Sequence, residues 1–445
     1  MKRLPSLVLT AALLLSLVHP PAARAGGLAP LETDELQMSF QRITTEFYKK
    51  VDTQSLLDGA RTQLLAYLEK NGVKKAVLPA VHARNNSAEN VRELDHEVAF
   101  AANAYGSRLG TRAITYAAIS GLLGAVKDKY TVFLTPKEYA DLNAGLDGAT
   151  FSGVGIVIGS DEKSKMITVS NVVPDGPAEK AGVQSDDVIS LIDGHSTKNM
   201  TIQAASGLLR GKEGTTVHLT LERNGSSVPV IAIVRAQIRQ LSVYQKMLPN
   251  KIGYVELTVF GRETARELTN ALERLSAQGA RAYVLDLRDN GGGYLDSAIE
   301  VSSKFIANGP IVSVESRAGN VMTYDSENTA ISPLPLAVLV NGHTASASEI
   351  TSGAIQDSGV GTLIGTKTYG KGVVQTIYPL PDGSAVKITT ARYLTPHNRD
   401  INTVGIQPDV TTEENKNPRY GIPERDTQLQ AAIVLLQAKM AQYNT

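Results

Sequence analysis

The stretch PLAVLVNGHTASASEI, residues 335–350, places a cluster of small and hydroxylated residues directly after an apolar run. The apolar run is typical of a strand that is buried on both faces of a sheet. Glu349 follows Ser346 by three residues, which is the capping-box pattern that opens a helix. A strand that leads into a helix predicts an α/β layer, in which ligands bind at the carboxyl ends of the strands. Ser346 is therefore either a helix cap or a nucleophile.

Strands and helices also alternate around this stretch. Short apolar segments that predict strands are KIGYVEL (251–257), RAYVLDLR (281–288), PIVSVES (310–316) and GTLIG (361–365). Helical periodicity is present near 262–278, near 294–307 and from residue 346 onward. This alternation predicts an α/β core over residues 238–445.

The chain before this core has a different periodicity. Residues 141–237 contain short alternating strands separated by Gly, Asp and Asn turns, with helical pieces at GPAEKAG and TIQAASGLLRG, and predict a small β domain. Residues 34–72 have apolar positions at helical spacing and end in Asn-Gly, and residues 111–126 form a second amphipathic pattern. We therefore expect a helical region over residues 26–140, although the polar segment between these two patterns gives no clear signal.

The first 25 residues have the pattern of a secretory signal peptide. Lys2 and Arg3 precede an apolar run from Leu7 to Val18, and small residues at Ala23 and Ala25 follow. We expect cleavage after Ala25 and export, with an uncleaved anchor as the alternative. The sequence has no Cys, so an exported form has to rely on core burial rather than on disulfides.

Charge and composition exclude several classes of partner and cofactor. Lys and Arg number 44, as do Asp and Glu, so no overall basic field is available to hold nucleic acid. The histidines show no paired ligand spacing, and we expect neither a metal nor a cofactor. The segment GTKTYGKG (365–372) has P-loop spacing, but Gly372 stands at the hydroxyl position and a strand-like segment follows. A phosphate-binding role for Lys371 is therefore rejected.

Three features favour the interpretation of Ser346 as a nucleophile. The segment DLRDNGGG (286–293) ends a predicted buried strand in glycines, whose backbone amides can approach a ligand closely. Ser346 lies at a predicted helix N-terminus, where amides and the helix dipole favour a developing oxyanion. Lys371 lies between glycines beside an apolar segment, and burial favours the neutral form of a lysine. These are the parts of a Ser-Lys hydrolase, with His343 as an alternative base.

These residues resemble the motifs of the C-terminal processing peptidases, or tail-specific proteases, especially those of cyanobacteria and chloroplasts. The resemblance runs from about residue 111 to the C-terminus. It includes TYAAISGLLGAVKDKYTVFLTP, a PDZ-like domain, LDLRDNGGG, NGHTASASEI, GTKTYGKGVVQ and ARYLTPHNRDINTVGIQPDV. The chain departs from the family pattern between about residues 70 and 110, where it has a long extra segment.

The resemblance assigns roles to individual residues. It implies Ser346 as nucleophile, Lys371 as general base and Gln375 as the residue that positions the lysine. The amides of Gly292 and Ala347 are the implied oxyanion donors. A regular strand separates residues four apart by about 13 Å, at ~3.3 Å per residue, so contact between Lys371 and Gln375 requires an irregular backbone or side chains that lean together.

The PDZ-like domain implies recognition of a chain terminus. In FSGVGIVIG (151–159), amides near Gly153, Val154 and Gly155 are expected to bind a carboxylate, and the strand that begins at Ile156 is expected to pair with the peptide. An ordinary hairpin with Gly turns is the alternative. Arg210 matches a position that couples the PDZ domain to the active site in some family members.

Together these features predict an α+β multidomain protein with a helical N-terminal region, a PDZ-like β domain and a crotonase-like α/β protease core. The resemblance implies an exported Ser-Lys endopeptidase of the periplasm or thylakoid lumen that acts on proteins or peptides with free C-termini. A catalytically inactive PDZ scaffold is the alternative. Homodimer formation and peripheral membrane association are left open.

Overall fold

The computed structural model describes residues 28–148, 150–160, 164–173, 176–184, 186–223, 225–331, 333–415 and 420–442. The predicted signal peptide, residues 1–25, lies outside these ranges. The chain divides into two compact units, Met1–Pro136 with Thr376–Thr389, and Lys137–Gln375 with Thr390–Thr445.

The first unit is mainly helical. Its elements are α1 (Pro30–Glu46), α2 (Thr53–Lys70), α3 (Ser87–Leu109), α4 (Thr111–Gly124) and strand β1 (Val132–Leu134). Asp52 caps α2 by accepting the Ser55 N–H at 2.8 Å, which explains why residues 34–72 form two helices rather than one. The polar segment without a clear sequence signal forms α3, which Asn86 caps by accepting the Glu89 N–H. Helices α2 and α4 pack closely where Gly59 faces Gly121. A Cβ at Gly121 would lie only 2.3 Å from the Gly59 carbonyl oxygen, so this contact has no room for a side chain.

Helix α1 carries a carboxyl group in the interior of this unit. Glu35 is 0% exposed, and burial followed by the nearby Asp382 carboxylate raises its pKa to about 7. The folded protein therefore keeps this proton up to about pH 7, whereas an unfolded chain releases it near pH 4.5. A carboxyl group that is held neutral in the folded state destabilises the fold once the solution pH favours its ionisation.

We predict that Glu35→Gln stabilises the protein at neutral pH. Glu35 should lower the free energy of unfolding by roughly 2 to 3 kcal/mol as pH rises from about 4.5 to 7, because the raised pKa makes folding take up a proton in this window. Denaturant unfolding at pH 5 and pH 8 measures the pH dependence of wild type and variant. The Gln variant should lose the Glu35 part and keep the part due to Glu97 and Glu256, whose pKa values burial also raises to about 7, whereas Glu69→Gln, at an exposed position, should retain all of it. An unchanged pH dependence in Glu35→Gln would contradict the assignment.

The second unit begins with α5 (Pro136–Asp147) and then forms an antiparallel β domain. Its main sheet has the order β3-β4-β5-β7-β8, and β6 pairs with β5. The strands are β3 (Ile156–Ser160), β4 (Ile167–Val172), β5 (Val188–Ile192), β6 (His195–Ser196), β7 (Thr216–Arg223) and β8 (Ser226–Val234). Helices α6 (Pro177–Lys180) and α7 (Ile202–Leu209) interrupt them, and β2 (Thr150–Gly153) pairs with β9 (Ala236–Arg239). The strands and both helices expected in this region are confirmed.

The rest of this unit is an α/β core around a second sheet. The sheet order is β10-β11-β12-β15-β16-β19, and all neighbours are parallel except β10 with β11. The strands are β10 (Val243–Leu248), β11 (Ile252–Leu257), β12 (Ala282–Asp286), β15 (Leu336–Val340), β16 (Gly361–Gly365) and β19 (Val410–Thr411). Short 3-10 turns occupy Pro249–Lys251 and Pro423–Arg425.

Helices cover both faces of this sheet. The helices are α8 (Thr264–Ala277), α9 (Leu295–Ser303), α10 (Ala347–Ser358) and α11 (Thr427–Gln442). Leu285 and Val338 pack with α8, α9 and α10 in one cluster, whereas Val284 and Ala337 pack with α11 in another. Burial on both faces explains the continuous apolar strands, and the predicted α/β core is confirmed.

One predicted strand lies outside the central sheet. PIVSVES forms β13 (Pro310–Ser316), which pairs antiparallel with β14 (Val321–Asp325) and with the end of β18 (Ala385–Leu394). Strand β17 (Val373–Pro379) also pairs with β18. No sequence signal separates β13 from the strands of the central sheet, because short apolar segments look alike in either setting.

Candidate active site

Ser346 has a strained backbone at the start of a buried helix. Its φ of +58° lies in the left-handed region that L residues other than Asn and Asp seldom adopt. The side chain is half-buried, and Ala347, the first residue of α10, is 1% exposed. Such strain persists only where surrounding contacts enforce it, and it is common at active sites. The predicted helix from residue 346 is thus confirmed, with Ser346 as its N-cap.

The glycine loop after β12 lies directly against Ser346. Gly292 has φ of +100°, and a Cβ at this position would come within 2.8 Å of the Ser346 Cβ, the Ala345 oxygen and the Ala347 nitrogen. This approach is closer than any side chain allows. The Gly292 N–H donates to the Asn290 side chain at 2.9 Å, so in this conformation that predicted oxyanion donor has a protein partner.

Asn290 joins three segments of the site. Its side-chain amide donates to the Leu257 carbonyl at 2.7 Å. Its backbone carbonyl oxygen accepts from the Ala345 N–H at 3.0 Å and from the Ser348 hydroxyl at 2.9 Å. Thr344 adds a second link, because its hydroxyl donates to the Leu287 carbonyl at 2.8 Å. These bonds fix the loop after β15 to the loop after β12.

Glu349 joins Ser346 to the segment that contains Lys371. The side chain is 0% exposed. One carboxylate oxygen, Oε2, accepts from the Ser346 N–H at 2.9 Å and the Lys371 N–H at 2.8 Å. The other, Oε1, accepts from the Gly370 N–H at 2.7 Å and the Thr368 hydroxyl at 2.6 Å. The backbone N–H groups of the two predicted catalytic residues therefore donate to the same carboxylate oxygen.

Lys371 lies two residues before β17, and Gln375 lies within this strand. Both side chains are half-buried. The Gln375 side-chain amide donates to the Val373 carbonyl at 3.2 Å, within its own strand. Gly370, with φ of +87°, supplies the irregular turn that precedes the lysine.

His343 has an acidic partner that the sequence did not indicate. Its Nδ1 lies 2.9 Å from Asp289 Oδ1, and its side chain is 80% exposed. Partial burial of Asp289 opposes ionisation, but hydrogen bonds from Asn341 and His343 hold the pKa of Asp289 below its ordinary value. The pair lies in the solvent-exposed part of the loops that follow β12 and β15.

The four predicted peptide-binding residues form a turn and a strand start in the β domain. Gly153 ends β2, Gly155 has φ of +78°, and Ile156 begins β3. The Val154 and Gly155 carbonyls accept from the Ala178 and Val173 amides, each at 2.9 Å. Among the described strands β3 is at the edge of its sheet, and α7 packs against it.

Arg210 lies at the end of α7, near this turn. Its guanidinium carbon is 4.4 Å from the centre of the Phe151 ring, at cation–π distance. The next amide, Gly211 N–H, donates to the Ser152 carbonyl at 3.3 Å. Arg210 is therefore attached to strand β2, which leads into the turn.

Comparison with known proteins agrees with this arrangement. Residues 251–412 match peptidase family S41, and residues 168–223 match a PDZ domain. The chain is 38% identical over 333 residues to the carboxyl-terminal-processing protease of Picosynechococcus. The aligned region covers 74% of this chain and 80% of that protein.

The chain belongs to the carboxyl-terminal-processing proteases. A second relative, the chloroplastic carboxyl-terminal-processing peptidase 2 of Arabidopsis thaliana, is 38% identical over 315 residues, 68% of this chain and 61% of that protein. A solved structure from Bacteroides fragilis assigned to the S41 proteases has a TM-score of 0.51 at 17% identity, with 90% of this chain and 97% of that one covered, and supports the fold. The protein is a serine-type peptidase with a PDZ domain.

No helix in the described part of this protease is both long and apolar enough to cross a membrane. In the same residues, no group of three or more His, Asp or Glu side chains has an arrangement that could hold a metal ion.

Sequence reasoning missed the residues that hold the site together. The sequence patterns predict no role for Asn290, Thr344, Ser348 or Thr368, and they indicate Glu349 only as part of a capping box. The sequence signal that could have pointed to them is the presence of polar residues at the ends of buried strands, because buried polar groups need hydrogen-bond partners. The identity of those partners depends on loops that are distant in sequence.

We predict that Gly292→Ala lowers peptidase activity by about 100-fold or more and destabilises the fold by about 1–3 kcal/mol. The added Cβ would collide with the backbone around Ser346, and φ of +100° is unfavourable for Ala. Peptide cleavage and thermal unfolding measure the two effects. Gly291→Ala is the matched control, because a Cβ there meets nothing within 4 Å. Equal behaviour of the two variants would refute the importance of this close approach.

Proposed function

We propose that the protein is an exported Ser-Lys endopeptidase that captures the free C-terminus of a protein substrate in its PDZ domain and cleaves upstream of it. The observation that carries the proposal is that backbone amides of Ser346 and Lys371 bind one carboxylate oxygen of Glu349. The nucleophile and base segments thus meet at the carboxyl ends of parallel strands, where α/β proteins place their sites.

The proposed reaction proceeds through an acyl-enzyme. Neutral Lys371 takes the proton of the Ser346 hydroxyl as Oγ attacks the scissile carbonyl carbon. The protonated lysine then gives this proton to the leaving amine, and the carbon–nitrogen bond breaks. In the second half, Lys371 takes a proton from water, and the hydroxide attacks the ester carbonyl carbon. The bond between this carbon and Ser346 Oγ then breaks, and Ser346 recovers its proton from the lysine.

The developing oxyanion needs donors on the other side of the carbonyl. The Ala347 N–H belongs to the first turn of α10, where amides lack intrahelical acceptors and the dipole is favourable. The Gly292 N–H is the second proposed donor, and it would have to exchange Asn290 for the substrate. The close contact of Gly292 with Ala347 supports this pairing.

Three roles of supporting residues complete the proposal. Gln375, on β17, positions Lys371, which precedes this strand by two residues. The turn of Gly153, Val154 and Gly155 receives the substrate carboxylate, and the edge strand from Ile156 pairs with the peptide. Arg210, packed on Phe151 beside this turn, couples peptide binding to the core.

We expect Ser346→Ala and Lys371→Ala each to lower turnover by at least about 100-fold, because general acid–base and nucleophilic steps are lost. Cleavage of an unstructured protein with a free C-terminus measures turnover. His343→Ala should remain active, since the His343 ring is largely in solvent beside Asp289. Loss on His343→Ala with full activity of Lys371→Ala would establish a Ser-His hydrolase instead. A wild type without turnover would favour the PDZ scaffold.

Recognition of the terminus predicts a dependence on its charge. A peptide substrate with an amidated C-terminus should bind at least about 10-fold more weakly than the free acid, because a charge-assisted hydrogen bond contributes about 1.5–3 kcal/mol. Isothermal titration with the Ser346→Ala protein measures binding without cleavage. Equal affinity for the two peptides would show that the PDZ turn does not read the carboxylate.

A further inference from the structure

We propose that Glu349 is a positioning residue that holds the Ser346 and Lys371 backbones at a fixed separation. This inference rests on the proposed Ser-Lys function and deepens it, because it assigns the structural element on which the pairing depends. It makes Glu349 neither a proton carrier nor a substrate ligand.

The geometry of the carboxylate supports this role. Each oxygen accepts two hydrogen bonds, two from the Ser346 and Lys371 amides on Oε2 and two from Gly370 and Thr368 on Oε1. A carboxylate has about four lone-pair sites, so its acceptor capacity is filled. Because one atom accepts from both amides, those amides cannot separate unless one of the two bonds breaks.

A helix cap accounts for only one of these four bonds. The Ser346 N–H bond is the capping-box contact at the start of α10. The other three donors belong to residues 368–371, in a different segment of the chain. A residue that only stabilised the helix would not need hydrogen bonds to the Gly370 and Lys371 amides.

The lysine segment depends on such a restraint. Gly370 has φ of +87° and Gly372 follows the lysine, so the backbone around Lys371 has access to conformations closed to other residues. Glu349 binds this segment from one side. On the other side, the Gly370 carbonyl accepts from the Thr403 N–H at 2.8 Å, and Thr368 Oγ1 accepts from the Ile406 N–H at 2.7 Å.

Ser346 is restrained in a similar way. Its carbonyl oxygen accepts from the Tyr393 hydroxyl at 3.1 Å, while Glu349 holds its N–H. Both peptide groups that flank the strained φ are therefore anchored. An error of about 1 Å in the position of reacting groups can cost about 100-fold in rate, so this anchoring bears directly on turnover.

Glu349→Gln tests the role, because it keeps the shape of the side chain but replaces one acceptor oxygen with an NH2 group. That group would face either the Ser346 and Lys371 N–H donors or the Gly370 N–H and the Thr368 hydroxyl, so at least one backbone donor loses its acceptor in either orientation. We expect kcat to fall by about 100-fold, with KM and the affinity for a C-terminal peptide within about threefold of wild type. Steady-state cleavage and peptide titration give these values.

Asp357→Asn is the matched control. Asp357 lies on the same helix, its side chain is 3% exposed, and it binds Arg399 and the His397 amide but none of the lysine segment. This variant should retain kcat within a few-fold even if its unfolding midpoint falls as far as that of Glu349→Gln. Equal losses of kcat in the two variants, or wild-type kcat in Glu349→Gln, would overturn the proposal.

A second pair of variants applies if Glu349→Gln does not fold. Thr368→Val removes one donor to Oε1 and should lower kcat about 10-fold, whereas Thr368→Ser keeps the hydroxyl and should restore it. An unrescued loss or no loss would count against the positioning role. Full activity of Ser346→Ala and Lys371→Ala would contradict the proposed function itself. Full activity of the Glu349 and Thr368 variants, with Ser346→Ala and Lys371→Ala inactive, would contradict only the positioning role.

Discussion

The close approach of two loops is the constraint on which the site depends. Strands β12 and β15 are parallel neighbours, so the chain leaves both at the same edge of the sheet. The Gly292 backbone then contacts Ser346 at a distance that leaves no room for a Cβ. Glycine at this position is required by contact as well as by φ. Any side chain would push the two loops apart and separate the proposed oxyanion donors.

A buried charged group fixes the end of β12 from the opposite side. The Arg288 guanidinium donates to Asp426 at 2.7 and 2.8 Å and to Asp286 at 2.9 and 3.1 Å, and the centre of the Tyr420 ring lies 3.8 Å from its central carbon. Since removing charges from water is costly, such a network adds little net stability but penalises any arrangement that leaves one charge unpaired. It thereby attaches the start of α11 to the strand that leads into the glycine loop.

The sequence allowed much of the fold to be predicted, for identifiable reasons. Strands β12 and β15 are buried on both faces, so their apolar runs are continuous, and Ser346 follows β15 directly. Helix α3 lies within the predicted helical region, but its bounds have no clear sequence signal because its exposed face is rich in charged and amide side chains, which weakens the apolar pattern. The partners of Glu349 could not be predicted, because three of them lie in residues 368–371 and are brought to α10 only by tertiary structure. The prediction for Gln375 stays open, since its amide donates to Val373.

In the proposed function, capping the helix and acting as nucleophile are tasks of different groups. The first turn of α10 is satisfied through backbone and carboxylate groups, because the Glu349 N–H donates to the Ser346 carbonyl at 2.8 Å and Glu349 accepts the Ser346 N–H. These two bonds at the helix start do not involve the Ser346 hydroxyl. A hydroxyl that is not the sole anchor of the helix start can change partners during a reaction, whereas Glu349, with all its acceptor sites occupied, cannot. The proposed nucleophile and the residue proposed to position it are thus separated by a single helical turn.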